Sequence, residues 1–156
     1  MEGHPKKTLS TKIVANPRER LLPLMFEMGR LLKSEIMRDG SYAVSFLHLE
    51  TLRYIQEHEK PTMSDIAEYL KIAPPSATAL VNSFVKEGIL ERTADPADRR
   101  VVRLGLSIKG KNLLKEIMLQ REKAFARLTA SLSIKDCQEL TRILKIITTQ
   151  PLSKDL

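Results

Sequence analysis

The chain has 156 residues with a single cysteine, no tryptophan, and only three Tyr and four Phe. One cysteine, Cys137, excludes an intramolecular disulfide and any cysteine-based zinc cluster, and fits a reducing cytoplasm. So few rings leave little for a single-strand nucleic-acid binder, which stacks bases on aromatic platforms. No apolar run approaches the ~18 residues that a membrane-spanning helix needs, so no membrane partner is expected. The opening Met1-Glu2-Gly3-His4-Pro5-Lys6-Lys7 leads into no apolar stretch, and no secretory signal is expected. His4, His48 and His58 have no metal-ligand spacing with one another. Phosphate loops, nucleophile elbows and recognisable carboxylate pairs are missing too, so the expectation is no enzyme, no metal and no cofactor.

Positive charge, by contrast, is in excess. Lys and Arg number 26 against 19 Asp and Glu, a net charge of +7, which points first to nucleic acid as an acidic partner. Residues 107–128 hold six basic and two acidic side chains, residues 1–20 five and two, and residues 21–59 four and six. None of these is a polybasic tract, so charge alone does not locate a site. The core material is Leu, Ile, Val, Met and Ala, which suits helix packing.

Hydrophobic periodicity then marks the elements. Residues 1–15 read as a flexible basic tail. Asn16-Pro17-Arg18-Glu19 reads as a helix start, with Asn16 as N-cap, Pro17 in the first turn and Glu19 reaching back. Leu21, Leu24, Met25, Met28, Leu31, Leu32 and Ile36 recur at helical spacing up to Asp39-Gly40-Ser41. Phe46, Leu49, Leu52 and Ile55 mark a second helix that stops before Lys60-Pro61. Thr62-Met63-Ser64-Asp65 caps a short third. Ile72-Ala73-Pro74-Pro75 interrupts, and a fourth begins at Ser76 and ends at Gly88. The period changes to two over Leu90-Glu91-Arg92-Thr93 and Val102-Arg103-Leu104-Gly105-Leu106, with the turn-rich Asp95-Pro96-Ala97-Asp98 between them. Ser107 and Ser133 cap two last helices. Cys137 reads as a small core hydrophobe, His48 as a satisfied, partly buried side chain, and His58 as a complement to a helix C-terminus.

Two short helices, a tight turn and then a hairpin is the order of a winged helix-turn-helix. The fold expected is therefore mainly α with a small β-hairpin wing. Residues 41–106 form the winged helix-turn-helix lobe, and residues 16–40 with 107–150 form a helical dimerisation region. A short, lightly decorated helix suits a major groove about 12 Å wide, and an arginine-bearing hairpin tip suits a narrow minor groove.

Thr62-Met63-Ser64-Asp65-Ile66-Ala67 through Val85-Lys86-Glu87-Gly88-Ile89-Leu90 resembles the helix-turn-helix of MarR-type regulators. Asp95-Pro96-Ala97-Asp98-Arg99-Arg100 followed by Val101-Val102-Arg103-Leu104-Gly105-Leu106-Ser107 resembles their wing signature, the more specific of the two. The resemblance implies a cytoplasmic homodimer that binds a near-palindromic double-stranded operator as a transcriptional repressor. It also implies a small aromatic or phenolic effector, bound between the dimer helices and the lobe, without assigning residues to that site. Ser76, Thr78, Ala79 and Asn82 would face the major groove, with Pro75 beside them. Arg100 would enter the minor groove with Asp98 holding its guanidinium, and Arg99 and Arg103 would lie nearer phosphates. Two positions depart from the family. Ala73 stands where a capping serine is common, a loss of about 1 kcal/mol. Ala79 stands where a large polar side chain is common, so guanine is not read bidentately from there. The alternative from a different class is a winged-helix protein-interaction module that binds no DNA.

Overall fold

The structure, a computed structural model, describes residues 16–38 and 45–149. The tail expected over 1–15, the helix stop at Asp39-Gly40-Ser41 and the residues after Thr149 lie outside the described residues. Asn16 Oδ1 accepts from the Arg18 N–H at 3.0 Å and opens a 3-10 turn, Pro17–Arg20. The cap bond runs to Arg18, while Glu19 joins through its own N–H, which donates to the Asn16 carbonyl at 3.0 Å. Then follow α1 (Leu21–Arg38), α2 (Phe46–Glu57), α3 (Met63–Leu70), α4 (Pro74–Lys86), β1 (Leu90–Ala94), β2 (Val102–Leu106), α5 (Ile108–Leu128) and α6 (Ile134–Thr149).

Local chemistry accounts for most of these boundaries. Ser45, Thr62 and Ser107 each accept from an N–H three residues on, satisfying one of the donors a helix start leaves free. Ser133 and Asp136 exchange bonds as a capping box for α6. α4 starts at Pro74, two residues before the expected Ser76. Both prolines fit in its first turn, where no N–H is needed by the helix, and Ala73 supplies no side-chain cap. The turn between α3 and α4 carries no glycine to announce it. Lys71 adopts the left-handed conformation at φ 52°, and the Ile72 N–H closes onto the Ala67 carbonyl at 3.1 Å. Gly88, at φ 69°, performs the same service after α4.

The core is built by α2, α3, α4, the wing root and the first half of α5. Leu49, Leu52, Ile66, Val81, Phe84, Leu90, Leu104 and Ile117 meet there with neighbouring apolar residues. β1 and β2 pair antiparallel, with Leu90 opposite Leu106 and Ala94 opposite Val102. The other edge of β2 is also used: Leu104 N–H donates to the Pro61 carbonyl at 2.9 Å, and Thr62 bridges to Arg103. The wing is thereby stitched to the start of α3.

α1 packs on α5, where Arg127 Nε donates to Glu35 Oε2 at 2.7 Å and Arg127 Nη2 to the Glu35 carbonyl at 3.0 Å. Neither α1 nor α6 buries a residue, so Met25, Met28 and Met37 lie exposed on the single chain. Cys137 is exposed as well, on α6, contrary to the expectation of a core thiol. No residue of its helix is buried by the described remainder of the chain, so the thiol has no core to enter.

Ser107 and Gly110 hold the base of the hairpin. Ser107 Oγ is 2.7 Å from the Gly88 carbonyl and 3.0 Å from that of Ile89, and accepts from the Gly110 N–H at 3.0 Å. A Cβ at Gly110 would stand 2.2 Å from the Ile89 carbonyl oxygen. Gly110→Ala should therefore destabilise the chain by about 2–3 kcal/mol, because backbone must shift. Gly29→Ala is the matched control in α1, where a new Cβ meets nothing within 4 Å. It should be neutral or stabilising by about 0.5–1 kcal/mol. Urea unfolding of the two variants measures both.

Candidate nucleic-acid interface

α4 buries Ala77, Leu80, Val81 and Phe84 and leaves Pro75, Ser76, Thr78, Ala79 and Asn82 exposed. Pro75, Thr78, Ala79 and Asn82 recur at i, i+3, i+4 and i+7 and share one outward face, with Ser76 exposed on its flank, three residues before Ala79. α3 braces this helix from a firmly capped start. Asp65 Oδ2 accepts from the Thr62 N–H at 2.7 Å and from its hydroxyl at 2.8 Å, while Thr62 Oγ1 accepts the Asp65 N–H at 3.3 Å. These bonds hold the Asp65 carboxyl below the usual carboxylate range, with Arg103 adding a smaller electrostatic contribution.

The wing tip is organised by Asp95. Its Oδ1 accepts the Ala97 N–H at 2.7 Å and that of Asp98 at 3.3 Å, and its Oδ2 accepts Arg103 Nε at 2.6 Å. The Arg103 bond first, and the two amides after it, pull the Asp95 carboxyl below its ordinary value. Asp95 is not among the residues that the sequence singles out for the site. The signal that points to it is an Asp-Pro pair whose side chain folds back on amides two and three residues ahead.

Asp98 acts on Arg100 in another way than expected. Its Oδ1 accepts the Arg100 backbone N–H at 2.9 Å, so among the described residues its bond is to the main chain and sets the course of the loop. Arg103 turns its guanidinium into the wing, onto Asp95 and onto the Lys60 carbonyl at 3.4 Å. Arg99 and Arg100 are exposed at the tip. Thr78 from α4, Ser64 from α3 and Arg92 and Arg100 from the hairpin line one groove of about 590 Å³. Arg92, on β1, is the cation that strand alternation alone does not single out.

His48 and His58 serve the scaffold. His48 is half-buried, hydrogen-bonded through Nδ1 to Ser45 Oγ and set edge-on to Phe84 with ring centroids 5.1 Å apart. His58 Nδ1 lies 2.9 Å from the Tyr54 carbonyl at the end of α2.

Comparison with known proteins places this geometry. The profile of the MarR family matches residues 44–101. Over 83 residues the chain is 29% identical to an uncharacterized HTH-type transcriptional regulator of Bacillus subtilis, YsmB, a match covering 53% of this chain and 57% of that protein. The chain thus spans little more than half the length of that curated relative. Among solved structures, MepR, a transcription regulator of the Staphylococcus aureus multidrug efflux pump MepA, superposes with a TM-score of 0.68 at 18% identity, over 85% of this chain and 96% of that one. A mutant of S. aureus MepR bound to an oligodeoxyribonucleotide does so with a TM-score of 0.60 at 18% identity, over 85% and 96%. At that identity the likeness is one of fold.

Asp95→Ala should loosen the wing tip without unfolding the lobe, since the loop adds nothing to the core. Backbone amides of Ala97 and Asp98 should exchange several-fold faster, while the thermal midpoint stays within about 1 °C. Acid should mimic the variant. A carboxyl held below its usual value orders the loop fully at neutral pH and loses that effect as pH falls through its folded pKa. Nuclear magnetic resonance of the Asp95 carboxyl and of the two amides, followed from neutral pH down through the carboxylate range, checks both.

Proposed function

From the match of residues 44–101 to the MarR family profile, we propose that the chain is a MarR-type regulator: a cytoplasmic, homodimeric transcriptional repressor that binds double-stranded DNA. The observation that carries this reading is one continuous surface. Thr78 of the outward face of α4 and Arg100 of the wing tip line a single groove, and Arg99 is exposed next to Arg100. α4 presents small groups to a major groove: Ser76 and Thr78 offer one hydroxyl each, and Ala79 or the Thr78 methyl can lie against a thymine methyl. Arg100 reaches the neighbouring minor groove, where a narrow A·T-rich stretch concentrates negative potential. A protein-interaction module would have little use for two adjacent arginines that form no ion pair among the described residues.

The dimer rests on helices the chain itself leaves uncovered. Leu21, Leu24, Met25 and Met28 of α1 and Ile143, Leu144 and Ile147 of α6 are all exposed. Apolar stripes of that length mark an interface. A two-fold pair implies an operator with inverted symmetry and half-sites about one helical turn apart. The division of labour follows: 41–106 reads DNA, 16–40 and 107–150 pair the protomers.

An effector site is supported by a cleft of about 380 Å³ where α1, the start of α2 and α5 converge. Leu32, Ile36 and Phe46 line it, and Arg121 supplies a buried Nε with no hydrogen-bond partner among the described residues. A largely apolar cleft with two cationic side chains, Arg121 and Lys33, fits a small aromatic acid, and a ligand there would bear on both the pairing helices and the lobe.

Selection of bound sequences from a random duplex pool, with and without a panel of aromatic acids, tests the reading. The expected site has inverted symmetry, and its affinity falls steeply with salt as counterions are released. Light scattering should give about twice the 17.7 kDa chain mass. Arg100→Ala should weaken the specific site by about tenfold and flatten the preference for A·T flanks, leaving mass and helical content intact. Unchanged affinity for this variant would remove the wing from the mechanism.

A further inference from the structure

Arg92 and Asn82 come from different elements and meet over the surface between α4 and the wing. Asn82 lies on the exposed face of α4, and Arg92 lies on β1 opposite Leu104. Arg92 Nη2 donates to Asn82 Oδ1. Arg92 takes part in no ion pair among the described residues, and it lines the groove shared with Thr78, Ser64 and Arg100.

Two consequences follow from hydrogen-bond valence. An asparagine reads adenine bidentately, its Oδ1 accepting from N6 while its Nδ2 donates to N7. With Oδ1 accepting from Arg92, one of its two lone pairs is engaged inside the protein and the amide is oriented toward the wing rather than toward a base edge. Arginine, in turn, carries five N–H donors in a rigid fork, so one bond to Asn82 leaves most of the fork free. The fork is held midway along the hairpin, between the helix face meant for the major groove and the tip meant for the minor groove. The strand of DNA that separates two adjoining grooves is a phosphate backbone.

We infer that Arg92 is a phosphate contact on the ridge between the two grooves, and that Asn82 is the residue that positions it and reads no base. This rests on the duplex-DNA reading given above. The pair also links α4 to the wing through side chains, in addition to the backbone route through Gly88 and Ile89. The two elements then meet the duplex in one register.

The test compares wild type, Asn82→Ala, Arg92→Ala, Arg92→Lys and the Asn82→Ala/Arg92→Ala double variant, all as full-length chains. Each is put through random-pool selection and titrated against the wild-type best duplex at several salt concentrations. Circular dichroism confirms equal helical content, which both exposed positions should preserve. Arg92→Ala should lose about tenfold in affinity on all sequences alike and lower the salt slope by about one per protomer. Arg92→Lys should keep the slope, because it keeps the charge. Asn82→Ala should lose about three-fold with its selected sequence unchanged, and should add nothing in the Arg92→Ala background, as coupled residues do. Loss of preference at a single adenine in Asn82→Ala, additive losses in the double variant, or an unaltered slope in Arg92→Ala would each overturn the inference while leaving duplex binding in place. Absence of salt-dependent duplex binding by the wild type would instead overturn the parent reading, and this inference with it.

Discussion

The chain closes on itself at Ser107. That side chain and its N–H tie the end of α4, through the Gly88 and Ile89 carbonyls, to the first turn of α5. Gly110 lets the two backbones approach closer than any Cβ would allow. Everything between residues 89 and 107 is a hairpin whose two ends are clamped at this point. Its direction relative to α4 is therefore a property of buried backbone and not of the exposed loop. The second edge of β2, bonded to Pro61 and Thr62, fixes the hairpin against α3 as well. A tip with no core of its own can be held at a defined angle only if its base is rigid, and these two attachments supply that.

A second constraint is how the acidic side chains are employed. Asp65 is engaged by Thr62, Asp95 by two loop amides and Arg103, Asp98 by the Arg100 amide, and Asp136 by Ser133. Each carboxylate accepts from backbone, from a capping hydroxyl or from a cation already committed to structure, a use that satisfies otherwise orphan donors. The cations Arg92, Arg99 and Arg100 are left without carboxylate partners among the described residues. Residues 41–106 hold eight basic and nine acidic side chains, so the positive field on the groove side of the lobe comes from which cations are left unpaired there and not from the chain's net charge. Such a field is what makes association with a polyanion fast and salt-sensitive.

The lobe and the outer helices differ in how far they satisfy themselves. α2 to α5 share a buried core in which Leu52, Ile66, Val81 and Leu104 are almost wholly withdrawn from solvent. α1 and α6 contribute no buried residue. Helices of 18 and 16 residues with exposed leucine, isoleucine and methionine faces are costly to leave in water. The groove-lining surface and the uncovered apolar surface are thereby carried by separate parts of the chain. The cleft lined by Arg121 sits at their junction.

Element order, the capped helix starts at Thr62, Ser107 and Ser133, the stop at Gly88 and the outward face of α4 are all readable in the sequence. Each depends on residues within four positions of one another, where periodicity and capping chemistry act. The wing is readable as a hairpin with Arg99 and Arg100 at its tip for the same reason. The partners of its side chains are not. That Arg103 turns to Asp95, that Asp98 grips a backbone amide, and that Arg92 reaches Asn82 depend on strand register and on the packing of β1 against α4. The exposure of Cys137 likewise follows from where α6 lies relative to the lobe, not from its amphipathic pattern. Local patterns determine which face of an element is apolar. Which polar groups meet across elements is decided only when the core has set their distances, because a hydrogen bond is lost within an ångström of displacement.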